Sequence, residues 1–149
     1  MNIQTTLWLI FMFWNSLWDI RKKQISLIAC FGAMTAGGLL LVLEGSNAGC
    51  GVCGILVALV YRSLPGIVLF VLSCIGRGAI GAGDGLVVLF TGWFWGATTA
   101  IEILFWGFLV SAFFGIGMMI IGKVKRKTEI PFVPFLLLGY FIRKGLLKV

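Results

Sequence analysis

Five acidic side chains occur in a chain of 149 residues that contains no histidine. They are Asp19, Glu44, Asp84, Glu102 and Glu129. An ionisable group in or beside an apolar run is costly and is a functional candidate for that reason. Three of the five have an ordinary solvated reading. Glu44 falls in a short loop, Glu102 at a turn between two apolar runs, and Glu129 among lysines. Asp19 and Asp84 differ, because Asp19 closes one apolar run and Asp84 opens another. Such runs, packed side by side, would bring two carboxyls from distant parts of the sequence to one level. Two carboxyls at short range cannot both ionise easily, so one keeps its proton. The ionised member can take a proton from water as that water attacks a peptide carbonyl, while the other donates to the carbonyl oxygen or the leaving amine. The pair titrates as a unit. The plainer alternatives are that Asp19 pairs with Arg21, Lys22 or Lys23, and that Asp84 caps a helix N-terminus.

The surroundings of Asp84 sharpen the choice. The run Gly81-Ala82-Gly83-Asp84-Gly85 places glycines where positive φ and a close backbone approach by a substrate strand are permitted. It lacks the Lys-Ser/Thr of a phosphate-binding loop, which argues against a nucleotide site. The four cysteines are Cys30, Cys50, Cys53 and Cys74. Cys50 and Cys53 form one CxxC in an apolar, glycine-rich stretch. With no second pair and no histidine they fall short of a structural zinc set. They read as small packing residues, with a disulfide or redox role as the alternative. Neither a metal nor any other cofactor is expected.

These side chains must be positioned by apolar elements. The chain is 60% hydrophobic, its mean hydropathy is +1.10, and 11% of its residues are charged, against about 25% in soluble domains. Such a composition predicts an all-α polytopic transmembrane bundle, a single domain over residues 1–149. Hydropathy outlines about six spans: Ile3 to Asp19, Ile25 to Leu43, Gly49 to Ile75, Gly85 to Ala100, Ile101 to Ile121, and Pro131 to Leu147. The third is expected to bend near Pro65-Gly66 or to divide there. The first, fourth and sixth are short for a span of about 20 residues. The first run ends in Asp19 and a basic cluster with no small-residue cleavage site, so no removable signal peptide is expected. Trp14, Trp18, Trp93, Phe94 and Trp95 read as packing or interface residues. Gly92 and Gly96, four apart, would let two helices approach closely.

The net charge of +7 raises the question of nucleic acid. The basic residues flank apolar runs and bring no stacking platform or recognition helix, so no nucleic-acid partner is expected. Arg21, Lys22, Lys23, Arg77, Lys123, Lys125, Arg126 and Lys127 all fall in loops on one side of the bundle. The loops on the other side carry none. The basic side, with both aspartates, is expected to face the cytoplasm. Arg143, Lys144 and Lys148 oppose this scheme if the last segment crosses fully; that segment could instead be re-entrant.

Three segments, in order, resemble the prepilin peptidases, members of the GxGD class of intramembrane aspartic proteases. Asp19-Ile20-Arg21-Lys22-Lys23-Gln24-Ile25 is similar to the family's acid, basic run and Ile-Pro. Arg77-Gly78-Ala79-Ile80-Gly81-Ala82-Gly83-Asp84 is similar to its GxGD segment and the lead-in. Ile130-Pro131-Phe132-Val133-Pro134-Phe135 is similar to its IPFxPF motif. The resemblance covers residues 19 to 135. It implies that Asp19 and Asp84 are the catalytic pair. Gly81, Gly83, Arg77 and Lys22 would serve substrate or site, with Pro131 and Pro134 as structural support beside it. It implies an aspartic-type endopeptidase that cuts the leader of a type IV prepilin or pseudopilin precursor at the cytoplasmic face of the cell membrane.

Ser26 stands where the family often has proline, and Leu86 where many members have lysine. A lysine's part at that position would fall to Arg77, Lys22 or nothing. The chain has no room for the methyltransferase region of the large bifunctional members, and resembles the short peptidase-only branch. Presenilin-like GxGD proteases place Tyr-Asp in one span and Pro-Ala-Leu in a later one; this chain has Trp18-Asp19 and no Pro-Ala-Leu. A reading from another class is a small ion-coupled transporter or assembly factor whose acids bind protons or cations. An inactive peptidase homologue is the third.

Overall fold

Long apolar runs cannot leave backbone N–H and C=O groups unpaired in hydrocarbon, and helices satisfy those groups internally. The computed structural model of the chain is accordingly all-helical. It describes residues 3–22, 26–49, 51–76, 81–121 and 131–147. Six helices occupy them: α1 (Ile3–Lys22), α2 (Leu27–Asn47), α3 (Val52–Ile75), α4 (Ala82–Trp95), α5 (Ala97–Ile120) and α6 (Val133–Leu147). Three of these, α2, α3 and α5, are long and apolar enough to cross a membrane.

Two boundaries differ from the hydropathy reading. The break between the fourth and fifth helices falls at Gly96, whose φ is +84°, and not near Ala100. Only a residue without a Cβ takes that backbone without strain. Gly96 has open space around it, so it serves as the hinge of the turn and makes no close helix contact. The third element runs as one helix through Pro65 and is not divided there. Two residues before the proline, Ser63 donates to the Leu59 carbonyl of the same helix at 2.7 Å and accepts from the Trp93 indole of α4 at 2.7 Å.

The core is made by Trp8, Met12, Val87, Val88, Phe94, Ile103, Val133 and Leu136, all essentially inaccessible. Glycines let α3 and α4 approach backbone to backbone. A Cβ on Gly66 would stand 2.3 Å from the Leu89 Cα, and one on Gly92 would stand 2.0 Å from the Arg62 carbonyl oxygen. Gly85 packs in the same way on Phe70, whose backbone nitrogen would be 2.8 Å from a Cβ there. The antiparallel pair α5 and α6 closes through Gly139, where a Cβ would meet the Ile103 carbonyl oxygen at 2.6 Å. Helix α1 lies between these pairs. Its Trp8 indole donates to Thr91 of α4 at 3.2 Å, and the same ring lies 4.5 Å from that of Tyr140 in α6. The indole N–H groups of Trp8 and Trp93 thus both end on hydroxyls, as their burial favours.

Candidate active site

Asp19 sits near the end of α1 on its buried face, with Trp8, Phe11, Met12, Asn15 and Ser16. Among the described residues its carboxylate makes no ion pair with Arg21 or Lys22. Its Oδ2 accepts the Val133 N–H at 3.0 Å, and the Phe132 N–H also donates to the carboxylate. Val133 is the first residue of α6, and the Phe132 carbonyl already takes the N–H groups of Phe135 and Leu136. The first amides of a helix have no partner within it. Asp19 supplies one from another helix, 114 positions away. A carboxylate there also meets the positive end of the helix dipole.

Pro134 occupies the second position of α6, within the first turn, where the missing N–H costs little. Pro131 precedes the helix and is half-buried. The expected effect of Pro131 on the residue before it falls on Ile130, outside the described residues.

Asp84 stands in the first turn of α4, its N–H bonded to the Gly81 carbonyl at 3.0 Å. Its carboxylate reaches back to the Gly81 N–H, the reciprocal half of a capping box. The glycine is needed there for room. A Cβ on Gly81 would stand 3.0 Å from Asp84 Oδ2. The positive φ expected for this run is not used: Gly81 has φ −64°, and the positive-φ glycines among the described residues are Gly49 and Gly96. Gly83 lies inside the first turn of α4.

The register of α1 against α4 sets the level of the two acids. Gln4 donates to the Phe94 carbonyl, Trp8 to Thr91, and the Phe11 and Phe90 rings meet edge to face. Continuing that antiparallel register one and two turns brings Asp19 opposite the start of α4. The two carboxyls are close enough for the charge of Asp19 to act on Asp84. Asp84 lies ahead of the apolar run Gly85 to Ala100. Burial, and after it the negative charge of Asp19, push its carboxyl up to about 7 against the opposing Gly81 hydrogen bond. A pair of carboxyls that holds one proton between them can exchange protons with a water and a carbonyl.

The remaining candidates fall elsewhere or outside the described residues. Lys22 is exposed, its ammonium 4.5 Å above the Trp18 ring. Trp18 in turn stacks on Trp14. Arg77 lies outside the described residues, as do Glu129 and Cys50. Cys30 is buried, Cys53 and Cys74 are exposed, and all three thiols are free. Leu86 is half-buried and packs against the apolar core. Among the described residues no group of three or more His, Cys, Asp and Glu side chains is placed to hold a metal.

Two acids read as solvated are partly exposed and lie in helices, where each also has an ion-pair partner. Glu44 belongs to α2 and accepts from Arg62 of α3 at 3.0 Å. Arg62 also donates to the Trp93 carbonyl at 3.2 Å. Glu102 belongs to α5 and pairs with Arg143 of α6, which also reaches Thr99. Arg62 was overlooked in the sequence because it interrupts no span. An arginine in the middle of an apolar helix needs a partner, and that requirement was the available signal. Compared with family models, curated proteins and solved structures, the chain matches none.

Proposed function

We propose that this chain is an intramembrane aspartic endopeptidase that removes the leader of type IV prepilin-like or pseudopilin precursors. Asp84 keeps the shared proton and Asp19 is the base. A water between them gives a proton to Asp19 as its oxygen bonds to the scissile carbonyl carbon, while Asp84 protonates the carbonyl oxygen. When the tetrahedral intermediate collapses, the C–N bond breaks, the proton on Asp19 passes to the leaving amine, and Asp84 takes a proton back from a hydroxyl of the intermediate as the new carboxyl forms. The pair is left with one proton, as at the start.

The observation that carries this reading is the hydrogen bond from Val133 to Asp19 at 3.0 Å, with Asp84 in electrostatic range of the same carboxylate. The described residues of the three segments that resemble the prepilin peptidases, 19–22, 81–84 and 131–135, thus lie at one end of the bundle. Arg21 and Lys22 belong to that end, which supports placing it at the cytoplasmic face of the cell membrane. At the other end Arg143 is paired with Glu102, so that arginine is not left as a lone charge.

The capping hydrogen bonds of both aspartates favour a second reading, in which they are structural and the protein is an ion-coupled transporter or an inactive homologue. Co-expression with candidate prepilins, followed by N-terminal sequencing of the products, separates the two. A mature N-terminus that appears with the native chain and is absent with Asp84→Asn supports the peptidase. Unprocessed precursor across a panel of prepilins, with the chain correctly inserted, refutes it.

A further inference from the structure

Asn15 is fully buried, with 0% exposure. Its amide Nδ2 donates to the Phe11 carbonyl at 3.0 Å, while its Oδ1 has no hydrogen-bond partner among the described residues. A buried acceptor without a donor is a standing cost that an apolar side chain of the same size would remove. With Nδ2 engaged by a carbonyl, the free atom can only accept. Asn15 lies four residues before Asp19, on the same buried face of α1. Side chains at that spacing are neighbours, about 5–6 Å apart at Cβ. The register that sets Trp8 opposite Thr91 and Phe11 opposite Phe90 carries Asn15 toward the first turns of α4. Asn15 thus lies one helical turn from Asp19, on the apolar side of the aspartate site.

Carboxylates are acceptors only; the one donor such a pair owns is its retained proton. We propose that Asn15 is a positioning residue of the aspartate site, its Oδ1 accepting a hydrogen bond from the proton that Asp19 and Asp84 share, directly or through one buried water. This rests on the peptidase reading for its catalytic consequence. Holding the proton on the inner side of the pair leaves the outer oxygens to the attacking water. The titratable and charged groups on the helices packed against α1 are few. Asp84 is on α4. Cys30 and Glu44 are on α2, and Tyr140, Arg143 and Lys144 are on α6. Glu44 and Arg143 are held in ion pairs far from the aspartates, and Lys144 lies over the Tyr140 ring.

The test compares Asn15→Leu, which removes the acceptor at similar volume, with Asn15→Ser, which retains a hydroxyl acceptor. Asn15→Leu is expected to lower kcat about tenfold, the factor one hydrogen bond to a proton-sharing group commands. KM should stay within about twofold, and a limb of the pH profile should move. Asn15→Ser is expected to recover part of the rate and the native limb. If Asn15→Leu does not accumulate folded, Asn15→Ala against Asn15→Ser makes the same comparison. Native kcat and pH profile in the variant lacking the acceptor overturn the proposal, and so does equal loss in both members of a pair. A second readout does not depend on proteolysis: the infrared carboxyl band that disappears in Asp84→Asn should shift in Asn15→Leu. An unshifted band also overturns the proposal. Cleavage by Asp84→Asn at the native rate instead refutes the peptidase reading, and the band alone then decides the role of Asn15.

Discussion

Replacing Asp19 by asparagine and by alanine separates what its carboxylate does for the fold from what it does in catalysis. Asp19 Oδ2 takes the first amide of α6 at 3.0 Å in a buried site. Asparagine keeps an acceptor at that place, so Asp19→Asn should lose a few tenths of a kcal/mol at most, as interchange between good capping side chains does. Alanine leaves the buried Val133 N–H without its acceptor, at a cost of about 1–3 kcal/mol. Thermal melting in detergent should therefore order the proteins as native, then Asp19→Asn close behind, then Asp19→Ala clearly lower.

Cleavage should order differently. Asparagine cannot take a proton from water, so both variants should lose the contribution of a general base, about 10²- to 10⁴-fold. That is roughly 3–5 kcal/mol of activation free energy. The assay is the rate of leader removal from a purified prepilin in detergent or liposomes, followed by N-terminal sequencing. The double variant Asp19→Asn with Asp84→Asn should be no slower than either single, because groups that act as a unit are not additive. If Asp19→Asn melts like the native protein and also cleaves within about tenfold of it, a capping role alone suffices and the two-aspartate mechanism is wrong.

The Asp84 carboxyl is held up to about 7, so between roughly pH 4 and pH 7 the folded chain binds a proton that the unfolded chain releases. Its contribution to stability is present below that window and is lost as pH rises through it. The melting temperature of the native protein, taken relative to that of Asp84→Asn, should fall from pH 4 to pH 7; a flat difference would contradict this. Gly92→Ala would put a methyl 2.0 Å from the Arg62 carbonyl oxygen, a backbone atom that no rotamer change can move. It should cost at least the roughly 1–3 kcal/mol of an overpacked core and displace the helix that carries Asp84, lowering both melting temperature and cleavage. Gly32→Ala, with open space around it, should change neither. Leu86→Lys should be tolerated and shift the pH optimum of cleavage; a folded variant that cleaves nothing would mean the site is arranged differently from that of the family it resembles. Glu102→Gln should keep cleavage while lowering the melting temperature, since it leaves Arg143 without its ion pair at the end away from the aspartates; loss of cleavage at unchanged stability would place Glu102 in the site.

Composition and hydropathy alone determined the helical class, the six elements and their approximate extents, because a period of apolar side chains and the ban on unpaired backbone in hydrocarbon are local properties. They also singled out Asp19 and Asp84 as the acids at the ends of apolar runs. Local chemistry was not enough for the breaks. Pro65 looked like an interruption, yet its helix continues because Ser63 and Trp93 tie that turn to α4. Gly96 looked like a packing residue, yet it is the turn itself.

Pairing between helices was decided only by the tertiary structure. Glu44 and Glu102 read as solvated because nothing in their own segments announces Arg62 and Arg143, which sit 18 and 41 positions away. The approach of Asp19 to the first amide of α6 depends on the register of α1 against α6. The burial of Asp84 depends on glycines that seat α4 on the backbone of α3. Hydropathy carries no information on register, because every turn of an apolar helix buries nearly as well as the next. Register comes from where a missing Cβ lets two backbones meet and where a buried polar group finds its single partner, and both exist only once the helices are packed.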